Sequence, residues 1–527
     1  MEKLEQNLER HKQLIRSGFV VLLVLVFFLY GVQRIKMMGY PQPTNTILIG
    51  LLLAAGALGI IFILLLHWFS FCKNIRIERL FLFSAIVLSL AYMVFFAPIS
   101  VPDEQAHYLS AYRLSNYFLF HFGQMGNQDL LIRSADLQFF KVFSTSGTLD
   151  AERYIQTIKG FSIFVDSSDI VTYSANAVTN VPLGYLASAL GIALGRLLHL
   201  GSLPVFYLGR MFNMAQYIVL AYVSMRRIPF GKIVIFIISL FPMTLHLCAS
   251  YSYDCMIIGV SMLFVSEVLR MIYGDSVSRG QLIFCAVLCF VLAPSKLVYT
   301  PLLFLVLLIP AEKIKRVFPH PNVLKVLLIV VGILGLLVGQ LGSLASYVST
   351  DSGAAYVEWA GQEGYTLSWV LQNPVVTVVI FINTVLSMGD FYLSSLLGGS
   401  LGWLQITVPD LLCLPFAALF CLACLKKRQE EETPLGFLPK CWTLLLVLGC
   451  CGLILASMFL SWTPISSNVI LGAQGRYFLP LLPALFLLLR SNAVTVDAKM
   501  DRHIIFVAGT LNIVVLAYCF LFVFGAI

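Results

Sequence analysis

The residues of this chain able to do chemistry are conspicuous because so little polar sequence surrounds them. In FFAPISVPDEQAHYLSAYRLSN, residues 95–116, an apolar run stops and Asp103, Glu104 and His107 follow within five positions. Asp103 and His107 are four apart and share a helical face, as do Glu104 and Tyr108. A carboxylate beside an imidazole can act as a general base, and Asp103 with Glu104 could instead ligate a cation. The plainer reading is a helix start: Ser100 as the cap, Pro102 early, and carboxylates in the first turn, where the helix dipole favours negative charge. The two readings are compatible, since a helix start would fix the carboxylates in place.

Other polar groups interrupt apolar sequence further on. NVPLGY (180–185) offers Asn180, or simply begins a helix. LGRMFN (208–213) puts Arg210 and Asn213 on one face, and a snorkelling arginine is the alternative wherever an interface is near. FPMTLHLCASYSYDCM (241–256) brings His246, Tyr251, Tyr253 and Asp254 around one helix-to-helix turn. APSKLVY (293–299) breaks at Pro294 and carries Lys296, and GAQGRYFLP (472–480) carries Gln474, Arg476 and Tyr477 at the head of a helix. There a guanidinium and the N-terminal dipole would jointly hold a phosphate. Lys296 and Arg476 fall on the expected outer side, against the positive-inside tendency, so each calls for an anionic partner. Carboxylates at one place and isolated cations at others suit a substrate with an anionic, membrane-embedded end.

The elements that must position these groups are membrane helices. Of 527 residues 59% are hydrophobic and only 11% charged, less than half the share of a soluble domain, and the mean hydropathy is +0.90. Apolar runs near the ~20 residues needed to span hydrocarbon predict an all-α polytopic membrane protein, without the short alternating segments of a barrel. The net charge of +8 sits in short clusters, Lys73/Arg76/Arg79, Lys313/Lys315/Arg316 and Lys426/Lys427/Arg428, which read as cytoplasmic loops and not as a nucleic-acid surface. The twelve cysteines lie mostly in apolar runs without framework spacing and behave as small hydrophobes. The charged N-terminus predicts a cytoplasmic tail before a retained first helix.

Residues 1–99 read as this tail and three spans, 100–178 as an extracytoplasmic subdomain of short interfacial helices, and 179–527 as the remaining bundle, with a second outer loop near 346–370. Fifteen apolar runs predict about 13 spans, with two runs re-entrant or broken. If 100–178 is outside and MRRIPFGK (225–232) inside, only one of the runs 181–199 and 203–224 crosses. The Gly/Ser-rich SSLLGGSLGWLQ (394–405) is expected to form a hairpin or interfacial turn.

In this order PDEQAHY, NVPLGY, GRMFN, SYD, SK and QGRYFLPLLP resemble a bacterial family of predicted multispanning proteins in the GT-C glycosyltransferase superfamily, over about residues 80–490. The resemblance implies a GT-C-like helical bundle in the bacterial cytoplasmic membrane. It implies an enzyme that takes sugar from a polyprenyl-phosphate donor and passes it to a cell-envelope glycan or lipid-linked acceptor on the outer face. The acidic residue such enzymes carry in their first large outer loop corresponds here to Asp103, with Glu104 adjacent. Many relatives add a soluble domain after the helices; without one, either the 100–178 loop recognises the acceptor or the acceptor is lipid-linked.

On this reading Asp103 takes the acceptor proton, Glu104 or His107 orients it, and Arg476, Lys296 and Arg210 hold the donor phosphate. Asn180, Tyr253, Asp254, Gln474 and Tyr477 contact substrate. A metal is open: Mg²⁺ or Mn²⁺ would sit on Asp103 and Glu104 if the reaction uses one. Two rivals use similar groups, a polysaccharide polymerase or ligase acting on polyprenyl-linked glycans and a lipid-linked sugar transporter or flippase. Membrane lipids are the remaining partners, and no nucleic acid is expected.

Overall fold

The computed structural model describes residues 2–122, 129–145, 148–166, 169–174, 182–349 and 356–525. Apolar sequence in hydrocarbon must satisfy its backbone internally, and it does so here by helices. Helices α1 (Glu2–Met37), α2 (Thr44–His67, prolonged by a π turn to Cys72) and α3 (Ile77–Phe95) come first. A subdomain follows with α4 (Glu104–Phe118), β1 (Asp129–Arg133), α5 (Ser134–Ser144), α6 (Ala151–Ile163) and β2 (Ile170–Ser174). Next are α7 (Pro182–Leu197), α8 (Ser202–Arg227), α9 (Lys232–Ser239), α10 (Pro242–Cys248), α11 (Asp254–Tyr273) and α12 (Arg279–Ser295). A 3₁₀ segment, Leu297–Leu308, leads to α13 (Ala311–Lys315), α14 (Pro321–Ser349), α15 (Leu367–Gln372), α16 (Pro374–Leu397), α17 (Asp410–Cys424) and α18 (Phe437–Trp462). A second 3₁₀ turn, Gly475–Leu481, runs into α19 (Leu482–Leu489) before the final α20 (Met500–Val523). Among the described residues eight helices are long and apolar enough to cross a membrane, with shorter apolar helices between them. The chain is an all-α polytopic membrane protein.

Contacts set which end of each helix meets the subdomain. Arg196 near the end of α7 donates to Ser115 Oγ (2.9 Å) and Asn116 Oδ1 (2.7 Å) on α4, while Tyr185 near its start meets His107. So α7 runs alongside α4 and stays at the subdomain end. Helix α8 turns back from it at Ser202, whose N–H donates to Phe164 O (2.9 Å), and travels to Arg227, paired with Glu267 at the far end. Of these two runs α8 makes the long pass.

Two other passes are broken. α9 and α10 meet at the Pro242 break, and Gly398, in a left-handed conformation at the end of α16, abuts Pro242. The chain then makes a two-stranded hairpin, Ser400–Leu401 with Ile406–Thr407, before α17, at the place where the Gly/Ser-rich stretch predicts a turn.

The subdomain holds more than short helices. β1 and β2 form an antiparallel pair, Asp129 opposite Ser174 and Arg133 opposite Ile170, which sequence reading did not anticipate. Its aromatic core, with Tyr108, Tyr112, Phe139, Phe140, Phe143 and Phe164 buried, merges with Phe206 of α8 and Tyr251. Arg133 fastens this layer through Asp136 (2.7 Å), Asp166 and the carbonyl of Leu200 (3.1 Å). At the far end Arg490 is buried against Glu430, Glu432 and the carbonyl of Leu425, which closes the loop holding Lys426 to Arg428 against the foot of α19.

Candidate functional site

The link between α3 and α4 is built around two buried arginines. Arg210, fully buried on α8, donates through Nε and Nη2 to both oxygens of Glu104 (2.9 and 2.6 Å). It donates further to the carbonyls of Phe96 (2.5 Å) and Ala97 (3.1 Å). Glu104, also fully buried, accepts from the Tyr251 N–H (3.1 Å) as well. Arg153 of α6 reaches in from the subdomain to the carbonyls of Pro98 (2.8 Å) and Ile99 (3.2 Å). Held by these donors, the link makes two left-handed residues, Ile99 (φ 57°) and Asp103 (φ 61°). For a β-branched residue such a φ is a genuine outlier, and strain of this kind persists only where the surroundings over-determine it.

This corrects three expectations. Glu104 neither orients a base nor joins Asp103 on a cation, because Arg210 and a backbone N–H occupy both its oxygens. Arg210 cannot hold a donor phosphate, since its donors are spent on Glu104 and the link carbonyls. Ser100 caps nothing; its hydroxyl donates to Ala97 O (2.7 Å), and Asp103 stands at the N-cap position without a capping bond from its side chain.

The left-handed turn sends Asp103 elsewhere. Its carboxylate, half exposed, accepts from Arg476 Nη2 (2.7 Å), although 373 residues separate them. Arg476 is only 3% exposed and lies between Asp103 and Asp254, whose Oδ2 is 3.8 Å from Nε. Asp254, at the start of α11, accepts from Lys296 Nζ (3.2 Å), and Lys296 lies over the Tyr477 ring at 4.3 Å. Tyr253 and Tyr477 flank the cations, and Tyr477 Oη accepts from Arg476 Nη2 (3.3 Å). Seven expected residues therefore converge from four segments: Asp103, His107, Tyr253, Asp254, Lys296, Arg476 and Tyr477.

The placement of Arg476 is set by Gly475. Its N–H donates to Ser395 Oγ (2.9 Å), and a Cβ there would lie 2.1 Å from Leu396 N and 2.2 Å from Tyr392 O. Only glycine lets the 3₁₀ turn press this closely on α16. Two donors of the buried guanidinium, Nε and Nη1, have no hydrogen-bond partner, and neither does Gln474 Oε1 next to it. Unmet buried donors on a cation are expensive and ask for an acceptor.

His107 sits under this cluster, Nδ1 2.7 Å from Tyr185 Oη and its ring edge-on to Tyr253. Burial pushes its pKa down to about 4, against the opposing pull of Asp103 and Asp254, so the imidazole is neutral at pH 7. With its pKa this low the imidazole is a weak base, and its hydrogen bond to the Tyr185 phenol makes it a positioning group more than a proton acceptor. Tyr185 was missed as a site residue although NVPLGY contains it; His246, buried under Phe96 with both nitrogens unpartnered, was noted only as part of a turn. Asn180 lies outside the described residues. Among the described residues no three His, Cys, Asp or Glu side chains gather as a metal site.

Residues 86–485 match a family described as predicted membrane proteins, DUF2142, so the chain belongs to that family. The match takes in Asp103, Asp254, Lys296 and Arg476. No curated protein and no solved structure matches the chain.

Proposed function

We propose that this DUF2142 protein is a membrane glycosyltransferase of the GT-C type, moving a sugar from a polyprenyl-phosphate donor to a cell-envelope acceptor. The reaction takes place at the outer face of the cytoplasmic membrane and inverts the anomeric centre. The observation that carries this reading is Arg476: a buried guanidinium with two unmet donors, beside Lys296 and a half-exposed Asp103. The basic loops at the opposite end of the bundle support the outward orientation of the site.

In the proposed step the acceptor hydroxyl oxygen attacks the anomeric carbon and its proton passes to Asp103. The bond from that carbon to the phosphate oxygen breaks, and polyprenyl phosphate leaves with its charge on Arg476 and Lys296. In the free protein Asp103 is tied to Arg476; a donor phosphate competing for the guanidinium releases the carboxylate to the acceptor. Asp254 keeps the two cations in place, and neutral His107 with Tyr185 fixes the floor beneath Tyr253. General-base catalysis contributes about 10²–10⁴-fold, so positioning and phosphate stabilisation supply the rest. A transporter would also use buried cations; the strained Asp103, aimed at the phosphate site, favours bond making over passage. Transfer of radiolabelled sugar from a polyprenyl-phosphate sugar in proteoliposomes tests the reading. Asp103→Asn, which keeps an acceptor oxygen for Arg476 at a half-exposed position, should lower the rate at least about 100-fold while the protein stays folded and monodisperse. Full activity in that variant would remove Asp103 from the mechanism.

A further inference from the structure

Helix α16 has a second anomaly on the flank turned away from the site. Its lipid-side residues Val375, Leu386 and Leu393 are exposed, as befits a membrane helix. Yet Asn383, Ser387, Asp390 and Ser394 recur at spacings of four, three and four and so form one polar stripe, about 16 Å long at 1.5 Å per residue. Ser394 Oγ donates toward Asp410 Oδ1 (3.4 Å) at the start of α17, which brings in a second carboxylate. Asp390 is exposed and has no hydrogen-bond or ion-pair partner among the described residues. At its upper end the stripe borders an open cavity of about 510 Å³ lined by Asn383, Leu386, Ser387, Asn468 and Val469.

An unpartnered carboxylate in a membrane helix is costly and points to a ligand or an aqueous path. Snorkelling would account for Asp390 alone, not for four aligned polar residues leading to a cavity. The chemistry is selective. Amides and a hydroxyl at the cavity offer donors and acceptors, while the carboxylates below accept only and repel anions. Phosphate-bearing lipid therefore suits Arg476 and not this flank. We infer that the α16 flank and its cavity bind the hydroxyl-rich, uncharged head of an amphiphile such as a glycolipid, with Asp390 and Asp410 accepting from its hydroxyls. Its assignment as the acceptor's seat rests on the transferase reading, and the binding itself does not. The lower end of the stripe, Ser394, is next in sequence to Ser395 and Leu396, which touch Gly475, so the stripe leads from the cavity toward the turn that carries Arg476.

The test is native mass spectrometry of the full chain in a detergent without a sugar head. The protein is titrated with diglucosyl diacylglycerol, phosphatidylglycerol or phosphatidylcholine. The wild type should bind the first diglucosyl lipid about tenfold tighter than either phospholipid. N383L/S387A and D390L should each lose most of that preference while melting close to the wild type. Ser387 and Asp390 are exposed, Asn383 is only half-buried, and the one side-chain hydrogen bond among them, Ser387 Oγ to Asn383 O (2.6 Å), lies within a single helical turn. Asp103→Asn should keep it. Equal retention of all three lipids, or a preference that survives both variants, overturns the inference. So does a co-purifying membrane protein released by D390L in the absence of glycolipid preference. Because no turnover is read, failure here leaves the transferase reading intact, and inactivity of the transferase leaves this result standing.

Discussion

Replacing Glu104 by Gln separates structure from catalysis at the acidic pair. Glu104 and Arg210 are both fully shielded, and their two bonds of 2.9 and 2.6 Å are supplemented by the carbonyls that Arg210 gathers. Removing one charge of a buried pair leaves the other uncompensated, a loss of about 3–5 kcal/mol. That is a large part of a net stability on the order of 5–15 kcal/mol. At about 2 °C per kcal/mol for a large chain, the melting temperature should fall by roughly 6–10 °C. Heating detergent-solubilised protein and following the monodisperse fraction by fluorescence-detected size exclusion reads this directly. The double variant E104M/R210M should fall by less than the sum of the two single changes, since neither charge is then stranded. If E104Q melted with the wild type but lost sugar transfer, Glu104 would be a catalytic group and the account of the link would be wrong.

Other consequences are as specific. His107, held near pKa 4 by burial against an ordinary value of 6.5, takes up its proton more readily in the unfolded chain. Its contribution to stability is thus complete above about pH 6.5 and lost as pH falls toward 4, a change on the order of 3 kcal/mol. Melting curves between those pH values should show it, and H107Q should flatten them. Gly475→Ala should reduce both melting temperature and transfer, because its Cβ meets backbone atoms of α16 and must displace Arg476; a wild-type rate would contradict that. Lys296→Met should slow turnover of bound donor at least about tenfold as well as raise KM, because the ammonium meets charge that develops on the leaving phosphate; an unchanged kcat would remove Lys296 from that step.

Much of the fold was legible in the sequence because hydrocarbon enforces a simple rule. Apolar runs became helices, and Gly398–Gly399 marked the break between α16 and α17. Parity alone could not say how α7 and α8 run; Arg196 and Tyr185, whose partners on α4 lie 80 and 78 residues away, show that α7 lies along α4. The β1–β2 pair escaped notice for the same reason, since its strands are separated by two helices. At the site, Lys296 and Arg476 were recognisable as charges without local reason. Glu104 and Arg210 looked like members of the same set, and nothing in their own segments told that they neutralise each other across 106 residues. Adjacent carboxylates thus have opposite fates because a left-handed Asp103 turns one away from the other. The polar stripe on α16 has a readable period of its own, but its exposure does not follow from sequence.

The most direct test of the central claim is a structure of the protein with polyprenyl phosphate bound. The account predicts phosphate density within about 3 Å of Arg476 and near Lys296, with Asp103 released from the guanidinium and facing open space. Phosphate bound elsewhere, with the Asp103–Arg476 pair intact, would contradict it.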